Sequence, residues 1–207
     1  MLKLGLQSDK EMMAKIILIL FASIAFCVMA AWYLVPKFLE QPTYKIVQKD
    51  GKIELRDYDT MLLQSVKVSG QQYDALRKGF RPLAHYIGAK SREGGKISMT
   101  APVMQSFVVD ENAWRVSFSM PAKYNISDLP YPNNDRIYSE EIPAFRAAVI
   151  RFSGRAEISL LTKKTKELYD WIESSGMSAR AEARYMFYND PSTPPFMRRN
   201  EVLIEIH

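Results

Sequence analysis

Hydrophobic and polar positions change rhythm three times along this chain. From Ile16 to Val35 there are 20 consecutive positions without a charge; at 1.5 Å rise per residue this run predicts a helix of about 30 Å, the thickness of a bilayer core. From Tyr44 the rhythm becomes strand-like. "KIELRDY" sets Ile53 and Leu55 against Glu54 and Arg56, and "WRVSFSM" sets Trp114, Val116, Phe118 and Met120 against Arg115, Ser117 and Ser119, the alternation of half-buried strands. Two further segments carry a helical period: Tyr73, Leu76, Phe80, Leu83 and Ile87 in one, Ile158, Leu161, Leu168 and Ile172 in the other. Gly88 and Gly176 stand where such helices stop, and Pro82 is expected to bend the first near Gly79.

The body repeats itself. "KIELRDYDTMLLQSVKVSG", residues 52–70, aligns without gaps on "RIYSEEIPAFRAAVIRFSG", residues 136–154, at an offset of 84. Ile53 meets Ile137, Val66 meets Ile150, and Ser69-Gly70 meets Ser153-Gly154, with a helical period following each copy. A repeated supersecondary unit leaves such a period. The expected fold is α+β, with two pseudo-two-fold-related halves, each carrying a helix, and a small-molecule cleft where they meet.

The apolar run divides the chain into a tail (1–15), a transmembrane anchor (16–36), a linker (37–43) and one globular domain (44–207). Trp32 and Tyr33 sit where interfacial aromatics belong. A cleaved signal peptide is the competing assignment, because "VMA" precedes Ala31, but 20 apolar residues exceed the usual h-region. Lys3, Lys10 and Lys15 against Asp9 and Glu11 favour a cytoplasmic N-terminus and hence a single-pass protein with its body outside the cytoplasm. The net charge of +5 contains no basic run of the kind that binds nucleic acid. With Cys27 the only cysteine, the body has neither a disulfide nor covalent c-type haem attachment.

"GFRPLAHYIGAK", "KISMTAPV" and "YNDPSTPPFMRRNEVLIEI" occur in this order, and from about Tyr44 to the C-terminus the chain resembles the SOUL haem-binding proteins. The resemblance implies a distorted antiparallel β-barrel flanked by two helices. It also implies non-covalent binding of haem b or a related tetrapyrrole in an apolar groove along the first helix. That groove would be lined by Tyr73, Leu76, Phe80, Leu83, Ala84 and Gly88, with Met99 and Met104 as soft wall residues. Arg77 and Arg81 would stand at its rim, Arg77 as a propionate partner, and His85 is the candidate axial ligand. Where some family members carry histidine after the first-strand arginine, this chain has Asp57 after Arg56. Arg198 and Arg199 are expected to pair with carboxylates of the barrel. Pro102, which lacks a ladder donor, marks a strand start or bulge.

No hydrolase, phosphate-loop, dinucleotide or zinc motif is present. The expected function is a membrane-tethered tetrapyrrole carrier or buffer; the alternatives are a binding module for another amphipathic small molecule and an enzyme acting on a tetrapyrrole.

Overall fold

A computed structural model describes residues 2–90 and 92–207. The side chains of residues 2–11 and of Val35 and Pro36 are outside that description, and with them the tail charges used above for orientation, Lys15 excepted. The chain divides into two units, residues 1–38 and 39–207.

The first unit is one helix, α1 (Leu2–Phe38), whose segment Met12–Leu34 is long and apolar enough to cross a membrane. The second begins at Leu39, earlier than expected. Residues read as linker are tied into it: Ala101 N–H donates to Glu40 O at 2.9 Å and Asp59 N–H to Thr43 O at 3.1 Å.

Nine strands and two helices build the second unit: β1 (Tyr44–Asp50), β2 (Ile53–Tyr58), β3 (Met61–Val68), α2 (Gln72–Ile87), β4 (Val103–Val108), β5 (Ala113–Ser119), β6 (Ile137–Ile142), β7 (Phe145–Phe152), α3 (Ile158–Ser174), β8 (Arg184–Phe187) and β9 (Asn200–Glu205). All ladders are antiparallel, in the order β1-β2-β7-β9-β8-β4-β5-β3-β6. The expected barrel is not confirmed: the sheet is not closed, and β1 and β6 are its two ends. β1 is blunted as an edge by a register shift between Ile46 and Gln48 and by Lys45 and Lys49.

Apart from β1, the order reads the same from either end once each strand is exchanged for its partner in the repeat. The β2–β7 pairing repeats in β6–β3 at the offset of 84, Arg56↔Ala147 becoming Glu140↔Leu63, whereas the counterpart of Ser65↔Ser117 is Val149↔Leu203, two residues further along β9. Gly70 and Gly154 hold φ of 114° and 113°, a left-handed conformation that glycine adopts at least cost. Both turns that launch a helix therefore have one geometry. The pseudo-two-fold axis passes between β4 and β8, where Met104 faces Met186.

Each helix packs on its own half of one sheet face. Leu161, Leu168 and Ile172 of α3 meet Ala148, Ile150, Val202 and Ile204, while Leu83, Tyr86 and Ile87 of α2 meet Val66, Val116 and Phe118. α2 continues through Pro82 and comes so close to β5 that a Cβ on Gly79 would lie 2.7 Å from Val116 Cβ.

The opposite sheet face is buried as well, against expectation. Its core holds Tyr58, Met61, Leu63, Met104, Val149, Met186 and Leu203, and Arg56, Ser117, Ser119 and Glu201, on strand positions that alternation assigns to solvent, are at most 4% exposed. Arg56 grips Glu201 with two hydrogen bonds, 2.9 and 3.2 Å. Tyr188 Oη and Arg199 Nε donate to the same carboxylate at 2.9 Å each. The ring of Tyr44 lies 4.2 Å from the Arg56 guanidinium. Arg199 thus meets the expected carboxylate, whereas Arg198 donates instead to the Thr193 and Pro191 carbonyls.

Candidate ligand cleft

Both helices start beside the pseudo-two-fold axis, and a cleft of about 760 Å³ opens between their first turns. One wall comes from α2 through Gln72, Tyr73 and Leu76. The other comes from the start of α3 through Arg155, Ala156, Glu157 and Ile158. Gln105 of β4 and Phe187 of β8 lie on either side of the axis beneath them, and Ser159 of α3, Asn189, Pro191 and Arg198 of the β8–β9 connection and Asn200 of β9 complete the lining. This volume is within the 300–1,000 Å³ typical of small-molecule sites.

The lining is amphipathic. Tyr73, Leu76, Ala156, Ile158 and Phe187 supply apolar surface, and Tyr73 and Ile158 are 63% and 57% exposed, more open than a purely structural role requires of large apolar side chains. Arg155 and Arg198 supply positive charge, and neither makes an ion pair among the described residues. Glu157, exposed on the same rim, is the single carboxylate in the lining. Neither helix has a side-chain cap hydrogen bond, so the free N–H groups of both first turns add positive potential at the cleft.

The groove residues expected along α2 are only partly brought together. At 100° per residue, Leu76, Phe80, Tyr73 and Ala84 share about 80° of helix arc. Tyr73 and Leu76 line the cleft, Phe80 is 39% exposed with its ring edge-on to Phe118 at 5.2 Å, and Ala84 packs partly on the core. The stripe thus flanks the sheet-facing residues Ala75, Gly79, Leu83 and Tyr86 rather than coinciding with them. Two assignments are corrected: Leu83 is fully buried, and Met104, 2% exposed, belongs to the core on the opposite sheet face, so neither lines a groove. Met99 is 41% exposed on the segment before the cis Ala101–Pro102 bond and Gly88 caps the C-terminus of α2, both outside the cleft lining. Arg77 and Arg81 are exposed; Arg77 borders the stripe at roughly 60° from Phe80, whereas His85 lies roughly 140° away. His85 therefore shares its face with Arg81 and Gly88 rather than with the apolar wall. Among the described residues, no three His, Cys, Asp or Glu side chains are grouped to hold a metal ion.

The α3 side of the cleft went unread in the sequence, although a signal existed. The residues after the two Ser-Gly repeats are copies of one helix start, and a two-fold frame brings such starts together.

Fold and cleft define an α+β protein with an amphipathic cleft of small-molecule size at the junction of its repeated halves. The model of the family described as SOUL heme-binding protein matches residues 39–205, and the chain belongs to that family. It is similar to heme-binding protein 1 of Bos taurus, 28% identical over 148 residues, covering 67% of this chain and 74% of the bovine one. It is also similar to heme-binding protein 1 of Mus musculus, 24% identical over 161 residues, covering 75% and 84%. Among solved structures, the EcmrR C-terminal domain superposes with a TM-score of 0.58 at 13% identity, covering 79% of this chain and 98% of that one. A hydrolase from Listeria innocua follows at 0.54 and 12%, covering 78% and 94%; at such identities the likeness is one of fold.

Proposed function

We propose that this protein is a membrane-tethered, non-covalent binder of haem b or a related tetrapyrrole, acting as a carrier or buffer, and that the ligand sits in the cleft between α2 and α3. The observation that carries the assignment is an amphipathic cleft of fitting volume fringed by two guanidinium groups that make no salt bridge among the described residues, Arg155 and Arg198, the second acting on Asp190 only through space. Haem fits the donor set: Tyr73, Leu76, Ile158 and Phe187 would cover the macrocycle, Arg155 and Arg198 would meet its carboxylates, and Arg77 would serve a part extending along α2. Bound haem would supply a redox-active iron, and these residues hold the ring and exclude water from its faces. Family membership and relatives named heme-binding proteins support the ligand class.

Full-length protein in lipid nanodiscs, titrated with haemin, is expected to give a shifted, saturable Soret band with a Kd of micromolar or tighter. The Arg155→Ala/Arg198→Ala variant is expected to lose about 1–3 kcal/mol of affinity if one buried carboxylate contact is removed. His85→Ala should leave the band position unchanged, since His85 faces away from the wall. A spectrum identical to haemin with empty discs would discard the tetrapyrrole assignment, and would favour another amphipathic ligand for the same cleft.

The tether is α1, with the N-terminus in the cytoplasm and the body outside. Its support is the apolar Met12–Leu34 segment together with the lysine bias of the tail. Protease added to intact cells should degrade residues 39–207 and spare the N-terminus; protection of the body would reverse the topology, and recovery of the body in the soluble fraction would replace the tether with a cleaved signal.

A further inference from the structure

The cleft lining holds an unpaired acceptor and an unpaired donor. Gln105, 1% exposed, donates Nε2 to the Gln72 backbone carbonyl at 2.8 Å. A carbonyl only accepts, so this bond fixes which end of the Gln105 amide is which. Its Oε1 is left buried without a partner. Gln72, 8% exposed, leaves its Nε2 buried without a partner as well. Buried amide atoms are rarely left unmade, because each forfeits its hydration. Both residues line the same cavity, and the broad terminal torsion of a glutamine leaves the Gln72 amide free to turn its Nε2.

The unmade amide pair has no copy in the other half. The repeat partner of Gln72 is Ala156, and the asparagines that line the cleft from the β8–β9 side already have partners, Asn189 Oδ1 accepting from Arg199 N–H and Asn200 Nδ2 donating to Gly154 O. A ligand in this cleft therefore meets an unmade acceptor and an unmade donor on the α2 side. A porphyrin edge of methyl and vinyl groups would leave both amide atoms unmade. A carboxylate would satisfy Gln72 Nε2 while opposing Gln105 Oε1. A lactam offers a carbonyl and an N–H side by side, one for each.

Resting on the assignment of the cleft to tetrapyrroles, we propose that Gln72 and Gln105 select open-chain tetrapyrroles, whose terminal rings are lactams, over closed porphyrin rings. The lactam carbonyl accepts from Gln72 Nε2, and the lactam N–H donates to Gln105 Oε1. Arg155 and Arg198 meet the carboxylates at the rim.

The test compares biliverdin, an open-chain probe with lactam ends, with haemin on the full chain in nanodiscs. Biliverdin is expected to bind about tenfold tighter or more. Gln105→Leu and, separately, Gln72→Leu should each bring the affinity ratio towards one, and two variants at different elements guard against a folding failure in either. Haemin binding with biliverdin equal or weaker, or a ratio unmoved in folded variants, would overturn the selection while leaving the tetrapyrrole assignment intact. Failure of both probes would remove that assignment and the selection with it.

Discussion

Glu201→Gln is expected to destabilise the protein by about 3–5 kcal/mol, because it removes the fully buried counter-charge shared by Arg56 and Arg199 and leaves Arg56 only the partly buried Glu54. Arg56 is 2% exposed and Glu201 fully buried, and the pair joins β2 to β9 across β7, which lies between them. A loss of this size lowers Tm by on the order of 10 °C in a chain of this length. Changing Arg56→Met and Glu201→Leu together should cost less than the sum of the two single changes, since these two facing charges leave together, although Arg199 still loses its salt bridge to Glu201. The acid limb of the stability profile should change too. Burial alone would raise the Glu201 pKa, but the hydrogen bonds and charge of Arg56, with Arg199 and Tyr188, hold it below the ordinary glutamate value. A depressed folded-state pKa contributes stability that is present above the unfolded carboxylate pKa and lost as pH falls through the folded one. Denaturant titrations at pH 7 and below pH 4 should show that loss in the native protein and a weaker one in Glu201→Gln. A change under 1 kcal/mol at pH 7 would show that the carboxylate is not the keystone of this sheet face.

Gly79→Ala should destabilise by about 1–3 kcal/mol, although alanine gains up to about 1 kcal/mol in a helix interior. The new methyl would stand 2.6 Å from Val116 Cγ2, and Val116 is a fully buried, β-branched strand residue with little room to yield. α2 would be pushed off the sheet, carrying Tyr73 and Leu76 and so changing the width of the cleft. Val116→Ala should be destabilising in the native background and restorative in Gly79→Ala. That reversal of sign in a double-mutant cycle is the diagnostic; a Gly79→Ala protein more stable than the native one would refute the close approach.

Much of the frame was legible because repetition is a sequence property. The two Ser-Gly turns, the strand pairs before them and the helices after them all follow the 84-residue offset, and the apolar stripe of α3 at Leu161, Leu168 and Ile172 is buried as its spacing predicts. The α2 stripe misled, because hydrophobic size is not proximity to the sheet. Ala75 and Gly79, which carry little hydrophobic signal, are the ones pressed against it, and the larger Tyr73 and Phe80 stand aside. Alternation misled differently. It assigns Arg56, Ser117 and Ser119 to solvent, but partners such as Glu201, far along the chain, make burial of that face tolerable. The unpaired amides of Gln72 and Gln105 were invisible for the same reason, since an absent partner is a property of three dimensions.

A cavity lying on the symmetry axis occurs once per chain, whereas a groove on the outer flank of a helix would have a counterpart on the other. Saturation should therefore come at a single equivalent of ligand, and neither repeat expressed alone contains the whole receptor. Duplication here did not double a pre-existing pocket. It created a seam whose two sides were free to diverge, so that an unsatisfied amide pair could arise on one with no copy on the other.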